Sequence, residues 1–80
     1  MTGVLVTVRY WAGARRAAGR ESEQLTAADV KDVLSQLGDR PELAAVLAAS
    51  AVLVDAEASQ PDQPLRAGSV IDILPPFAGG

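Results

Sequence analysis

The strongest constraint on the fold is that strand-like patterns occur at both ends of an 80-residue chain, with a helix-like pattern between them. Residues 4–10, VLVTVRY, alternate with period two and are rich in β-branched residues, which is typical of a strand. One face of this strand is predicted to carry Val4, Val6, Val8 and Tyr10, and the other Leu5, Thr7 and Arg9. Residues 70–74 predict a last strand, with Ile71 and Ile73 in the core and Asp72 facing solvent. The residues between these strands must therefore cross over the sheet.

The clearest single element is a helix that ends near Gly38. Apolar residues recur at i, i+3, i+4 and i+7 along one stripe, namely Val30, Val33, Leu34 and Leu37. Thr26 is predicted to cap this helix with Asp29 in the reciprocal position, and Gly38 to end it in a left-handed conformation. A second, shorter helix is expected from Pro41 to about Ala49, because proline suits the first helical turn.

Shorter segments complete the predicted order. Residues 20–25, RESEQL, are interpreted as a returning strand and residues 51–58, AVLVDAEA, as another. WAGARRAAG, residues 11–19, breaks the strand pattern with its glycines, and Gly68 marks a turn before the last strand. The order strand, strand, helix, short helix, strand, strand predicts an α+β domain over residues 1–74, with helices on one sheet face. A right-handed crossover would return the last strand parallel to the first. The predicted fold is a ubiquitin-like β-grasp, with a mixed four- to five-stranded sheet packed on one main helix plus a short helix.

Composition excludes several classes of function. The chain has neither cysteine nor histidine, so it cannot form disulfides or zinc sites with those ligands, and it lacks the groups of the usual acyl-transfer enzymes. Its net charge of −3 argues against nucleic-acid binding. No signal peptide and no run of about 20 apolar residues is evident. We expect a cytoplasmic protein with no membrane span and no metal site.

Three smaller groups of residues allow two interpretations each. The basic cluster is either a solvated loop or a docking contact for an acidic partner, and it comprises Arg15, Arg16 and Arg20. Tyr10 and Trp11 either pack at the edge of the core or belong to a docking surface. Solvated positions are favoured over a carboxylate site for Asp55, Glu57 and Asp72.

Residues 75–80 predict a flexible functional tail. Pro75 and Pro76 lack a backbone N–H, so they end the sheet and favour a stiff, extended conformation. The four residues that follow reach roughly 10–14 Å when extended, which suffices to enter a narrow channel in another protein. Phe77 would be an apolar anchor before the slender part, which comprises Ala78, Gly79 and Gly80. The carboxylate of Gly80 is the predicted reactive group.

A terminal carboxylate becomes electrophilic only after activation. A partner enzyme could adenylate it with ATP, and that partner would supply Mg²⁺ and cationic side chains to stabilise the phosphoryl charge. A sulfur nucleophile would then displace AMP and leave a thiocarboxylate, whereas an amine would give an amide. The chain is therefore expected to bind no cofactor and to catalyse nothing alone.

Residues 64–80, PLRAGSVIDILPPFAGG, combine PL, a short gap, G, an apolar strand, PP, an apolar residue, a small residue and GG. This pattern resembles the MoaD/ThiS family of ubiquitin-like sulfur carriers, and within it most of all the small subunits of molybdopterin synthase. Length, element order and the opening VLVTVRYWAGARRAAG agree with the resemblance along the whole chain. Its specificity is concentrated in the last third.

The resemblance implies that an adenylating enzyme of the ubiquitin-activating type activates Gly80, and that a sulfur donor protein converts it to a thiocarboxylate. Gly79 would keep the tail slim inside the partner. Gly80 would deliver sulfur to the large subunit of molybdopterin synthase, where a pyranopterin precursor becomes the dithiolene of molybdopterin. Two small subunits would flank a dimer of large ones in a heterotetramer. Ala78 departs from the Ser or Thr often found before the glycines.

Other functions share the fold and the Gly-Gly end. A sibling carrier would serve thiamine thiazole or cysteine biosynthesis. A ubiquitin-like modifier would instead form isopeptide bonds, although Lys31 is the only lysine and so offers one site for self-chains. A binding module with an idle tail has no feature here in its favour.

Overall fold

Five strands form one mixed sheet, in which the first and last strands lie side by side. The computed structural model describes residues 3–76. The elements are β1 (Val4–Tyr10), α1 (Ala12–Ala18), β2 (Ser22–Ala27), α2 (Val30–Gly38), α3 (Pro41–Leu47), β3 (Ala51–Val54), β4 (Glu57–Ala58) and β5 (Val70–Leu74). Their spatial order in the sheet is β2-β1-β5-β3-β4. β1 pairs with β5 in parallel and the other neighbours pair antiparallel. The predicted β-grasp, with a parallel last strand, is confirmed.

The core lies between one face of the sheet and the helices. The largest fully buried side chains are Val6, Val8, Tyr10, Val30, Val33, Leu37, Leu43, Ile71 and Ile73. Leu34, predicted in the same stripe of α2, is partly buried at its margin. The period-two pattern of β1 and the helical stripe of α2 therefore face each other, as the sequence indicated.

The ends of α2 differ from the prediction. Asp29 is the N-cap, and its side chain accepts a hydrogen bond of 2.8 Å from the backbone N–H of Asp32. Thr26 is instead part of β2, because the ladder with β1 continues to the next residue and delays the helix start. Gly38 is the last helical residue and its φ is not positive, since α2 runs through a right-handed Asp39 towards α3. The predicted caps were wrong.

Residues 11–19 are helical rather than a loop. α1 packs against α3, and its Ala14 is fully buried. Gly19 ends the helix with φ 77°, and its N–H donates to the carbonyl oxygen of Arg15 at 2.9 Å. The alanines of AGARRAA have the highest helix propensity, which outweighs the cost of the internal Gly13. The left-handed helix end is therefore at Gly19 and not at Gly38.

The segment predicted as one strand at 51–58 is a hairpin. β3 and β4 pair antiparallel across a two-residue turn formed by Asp55 and Ala56. Both turn residues have positive φ, 50° and 71°, as a tight hairpin turn that matches the strand twist requires. Asp-Ala lacks the glycine that normally marks such a turn, which is why the sequence pattern did not indicate it.

Asp72 does not face solvent as predicted, because it is only 5% exposed. Its carboxylate accepts hydrogen bonds from Arg9 Nε at 2.7 Å, Arg9 Nη2 at 3.0 Å and Trp11 Nε1 at 2.9 Å. The Arg9 guanidinium also lies over the Trp11 ring, 5.5 Å from its centroid. We call Arg9, Trp11 and Asp72 the strand-end clamp. It fastens the end of β5 to the end of β1 on the face opposite the core.

The Asp72 carboxylate can be buried in its charged form because its hydrogen-bond donors compensate the charge. The hydrogen bonds from Arg9 hold the pKa of Asp72 below its usual value, and the Trp11 indole adds to this, although burial alone would raise it. Asp72 therefore stays ionised at neutral pH, with each donor aimed at it.

Two glycine substitutions should distinguish the helix ends. Gly19→Ala should lower the free energy of unfolding by about 1 kcal/mol, because a Cβ strains a left-handed backbone. Gly38→Ala should raise it by about 0.4–1 kcal/mol, since its φ is compatible and a Cβ there meets no atom within 4 Å. Urea denaturation of both variants checks this, and a destabilised Gly38→Ala protein would contradict it.

Asp72→Asn should lower the free energy of unfolding by about 1–2 kcal/mol at neutral pH, because it removes the charge-assisted hydrogen bonds from Arg9. The expected loss is modest because the Arg9 side chain is 49% exposed, so solvent screens its charge. The pKa of Asp72 is depressed in the folded state, so this stabilisation is present above the unfolded value of about 3.9 and disappears as the pH falls through the lower folded value.

Denaturation from about pH 7 to about pH 3 should therefore show a difference between wild type and Asp72→Asn that is constant down to about pH 5 and shrinks below about pH 4. The control is Asp62→Asn, a change at an exposed loop carboxylate, which should have little effect throughout. A difference for Asp72→Asn that persists unchanged at the acid end would contradict the ionic role.

Candidate functional site

The tail leaves the domain at the end of β5. This strand ends at Leu74, and neither Pro75 nor Pro76 is part of a strand. Pro75 is half-buried and Pro76 is exposed. The other predicted tail residues lie outside the described residues, namely Phe77, Ala78, Gly79 and Gly80. What the structure describes is the base from which they extend.

That base is held on two sides. Trp11 donates its backbone N–H to the carbonyl oxygen of Ile73 at 3.3 Å, in addition to the indole bond to Asp72. β5 is thus fastened to Trp11 through two consecutive residues, immediately before Leu74. The strand-end clamp therefore determines where Leu74 and Pro75 lie relative to β1.

Tyr10 links the end of β1 to β2 on the core face of the sheet. Its side chain is buried in the core, and its hydroxyl donates to the carboxylate of Glu23, which also pairs with Arg40. Burial is the main cause that raises the pKa of Tyr10, and the hydrogen bond to the Glu23 carboxylate and its charge raise it further. Burial would also raise the pKa of Glu23, but the hydrogen bonds from Tyr10 and Arg40 lower it overall. Of the two interpretations of the aromatic pair, Tyr10 therefore packs in the core, whereas Trp11 is 38% exposed.

A concave pocket of about 530 Å³ lies beside the base of the tail. We call it the tail-root pocket, and it is lined by Trp11, Ala12, Arg15, Arg16 and Leu74. Arg15 and Arg16 line it from α1, so they lie on a helix and not in the predicted solvated loop. Arg20, the third member of the basic cluster, instead lies 3.9 Å from Glu23. The structure therefore divides the cluster into a pocket pair and a separate residue.

The helix-free face of the sheet is apolar around the clamp. Side chains alternate along β5, so Val70 and Leu74 lie on this face while Ile71 and Ile73 are buried on the other. Leu53 pairs with Asp72 and therefore also lies on this face. Leu5 lies on the same face and is 51% exposed. We call this surface the open face. Exposed apolar area of this kind typically marks a contact surface for another protein.

The three candidate carboxylates are divided: Asp55 and Glu57 line one pocket, whereas Asp72 belongs to the strand-end clamp. Asp55 accepts a hydrogen bond of 2.9 Å from the backbone N–H of Val70, and Glu57 is exposed on β4. Within residues 3–76 no group of three or more metal-ligating side chains occurs. In the same range, no helix is long and apolar enough to cross a bilayer.

Sequence reasoning missed the clamp and the pocket. A signal for the clamp was present, because Arg9 and Asp72 carry opposite charges on strands predicted to lie in parallel. Only the register, which pairs Arg9 with Asp72 directly, shows that the two meet.

Comparison with known proteins identifies the family. The sequence model of the ThiS family matches residues 8–80. A search of curated proteins found no match. Among solved structures, the solution structure of small archaeal modifier protein 1 from Methanosarcina acetivorans has a TM-score of 0.88 at 26% identity, and the match covers 100% of both chains.

Two further structures carry molybdopterin-related names. One is the protein-protein complex of subunits 1 and 2 of molybdopterin-converting factor from Helicobacter pylori, with a TM-score of 0.80, 27% identity and coverage of 96% of this chain and 100% of the other. The second is a putative molybdopterin converting factor subunit 1 from Pyrococcus furiosus, with a TM-score of 0.84, 24% identity and coverage of 91% and 98%, a likeness that shows the fold. With its family match and its β-grasp sheet, this chain belongs to the ThiS family and has the fold of the ubiquitin-like sulfur carriers.

Proposed function

We propose that this chain is a sulfur carrier that donates sulfur from a thiocarboxylate at Gly80 for dithiolene formation in molybdopterin, as the small subunit of molybdopterin synthase. The observation that carries the proposal is the clamped end of β5, which lies beside an apolar open face and is followed in the sequence by PPFAGG. The family match extends through Gly80. The likeness to subunits 1 and 2 of a molybdopterin-converting factor supports this pathway.

The chemistry needs a partner at every step. A carboxylate oxygen of Gly80 attacks the α-phosphorus of ATP, pyrophosphate leaves, and an acyl adenylate results. An adenylating enzyme of the ubiquitin-activating type supplies the Mg²⁺ and the cationic side chains for this step. A persulfide sulfur on a donor protein then attacks the carbonyl carbon and AMP leaves, which gives an acyl disulfide. A thiol attacks the donor's sulfur in this disulfide, so that the thiocarboxylate leaves and a disulfide between the donor and that thiol forms.

The tail residues have different roles in this scheme. Pro75 and Pro76 direct the tail away from the sheet, because they cannot continue its hydrogen-bond ladder. Phe77 anchors the tail at the mouth of the partner's channel. Gly79 and the small side chain of Ala78 keep the following part thin enough to thread that channel.

The proposed acceptor is a large subunit that binds the open face and receives the tail. Leu53, Val70 and Leu74 offer it apolar contact area next to the point where the tail begins. Two small subunits and a dimer of large subunits would form the heterotetramer. A sibling carrier for thiamine thiazole or cysteine biosynthesis would share every step up to the thiocarboxylate.

A second candidate function is a ubiquitin-like modifier. The likeness to small archaeal modifier protein 1, over the full length of both chains, favours it. The adenylate would be the same, but a lysine amine would displace AMP and form an isopeptide bond. The product on Gly80 therefore separates the two candidates.

Deleting Gly80, or extending the chain beyond it, should abolish sulfur transfer while leaving the thermal unfolding midpoint unchanged, because the reacting carboxylate is lost from its position and no residue of the core is altered. The measurement is the intact mass of untagged protein from cells that hold its own activating enzyme. We expect the mass of the wild-type protein to increase by the difference between one sulfur and one oxygen atom, and this change to map to Gly80. Both variants should lack the increase.

Full sulfur transfer by a C-terminally extended protein would disprove the role of Gly80. A covalent adduct between Gly80 and a lysine of another protein, without sulfur, would establish the modifier instead. An unmodified wild-type tail under these conditions would contradict both functions.

Phe77→Ala should weaken binding to the large subunit by roughly 10- to 100-fold, which corresponds to losing the burial of one aromatic side chain at an interface. The free energy of unfolding should change little. Calorimetric titration measures the affinity, and Phe77→Leu, which keeps an apolar side chain, is the matched control and should retain most of it. Equal affinities of wild type and Phe77→Ala would rule out the anchor.

A further inference from the structure

The tail-root pocket combines apolar walls with two positive charges. Trp11 and Leu74 provide apolar surface, and Arg15 and Arg16 provide the charge. Tryptophan and arginine are, with tyrosine, the residue types enriched among those that carry most of the binding energy in protein interfaces. The pocket therefore has the composition of a docking site for a partly acidic surface.

Neither arginine is neutralised within the part of the chain that the structure describes. No carboxylate of residues 3–76 forms an ion pair with Arg15 or Arg16, whereas Arg9, Arg20 and Arg40 each have an acidic neighbour. The chain as a whole carries a net charge of −3. The rest of this acidic surface repels an acidic partner on average. A local basic pocket therefore directs such a partner to one side of the protein.

The pocket is also pre-organised. The indole of Trp11 is held by Asp72 and the Arg9 guanidinium covers its ring, so the wall does not have to be ordered on binding. Arg15 and Arg16 project from α1, whose buried Ala14 anchors the helix to the core.

We propose that the tail-root pocket binds an acidic segment at the mouth of the channel in the adenylating enzyme that receives the tail, with carboxylates on Arg15 and Arg16 and an apolar side chain against Trp11. This inference rests on the proposed function, because it takes that enzyme as the occupant. Position supports the choice, since Leu74 lines the pocket and also precedes the tail. An enzyme that takes up the tail would therefore approach the domain next to this pocket.

Charge reversal tests the pairing. The double variant Arg15→Glu/Arg16→Glu is compared with Lys31→Glu/Arg66→Glu, which changes the net charge equally but places the new charges at the start of α2 and in the loop before β5. The affinity of each full-length, untagged protein for the adenylating enzyme of the same organism is measured by calorimetry without ATP. We expect the pocket variant to bind roughly 10-fold or more weakly and the control to stay within about 3-fold of wild type.

Equal weakening of both variants would overturn the inference, because it would show a general effect of net charge. Unchanged binding of the pocket variant, or no binding of wild type, would overturn it as well. The chain's own tail is the other possible occupant. Trp11 is the only tryptophan, so its fluorescence reports on the pocket, and a change in emission on removing residues 77–80 from the free protein would assign the pocket to the tail.

The intact mass of the wild-type protein separates the two proposals. If only the pocket variant loses binding and the wild-type protein never acquires sulfur, the docking role of the pocket is supported and the carrier function is contradicted. Sulfur at Gly80 with equal affinities of all variants would support the carrier function and overturn the pocket.

Discussion

The parallel pairing of β1 with β5 is the interaction on which the rest of the structure depends. It runs from Thr7 opposite Val70 to Tyr10 opposite Ile73, and it joins the two ends of the described chain. Parallel strands need a long crossover, so the intervening helices and the β3–β4 hairpin lie between them in sequence and cover or extend the sheet. The same pairing places the isoleucines of β5 next to the valines of β1 in one core. It also puts the exit of the tail beside Trp11.

A buried carboxylate on a mostly apolar sheet face needs compensation, and the clamp supplies it. Burying an isolated charge is costly unless hydrogen bonds and an opposite charge accompany it. Asp72 has both, from Arg9 and the Trp11 indole. A consequence is that an ordered strand end and a solvent-accessible apolar surface occur side by side. That combination supports the proposal of a carrier whose tail reacts inside another protein, since the partner would meet a fixed strand end.

Sequence patterns predicted the elements whose burial is periodic and missed those that depend on context. The alternation in β1 and the stripe of α2 reflect direct contact with the core, so they are visible in the sequence. α1 was missed because Gly13 and Gly19 look alike in a sequence, although only Gly19 ends the helix. The capping residue of α2 was misassigned because β2 continues to Ala27, and strand length is determined by the partner strand. The hairpin turn at Asp55 and Ala56 carries no glycine that would mark it.

The sequence by itself determined the fold class and the candidate working end, because hydrophobic periodicity and the PPFAGG motif are local properties. Only the tertiary structure decided what surrounds the base of the tail. Asp72 reads as solvent-exposed in isolation and becomes buried through a register that brings Arg9 and Trp11 to it. Arg15 and Arg16 are separated from Leu74 by most of the chain, yet they line one pocket with it. Such contacts arise from pairing between distant strands, and no local pattern encodes them.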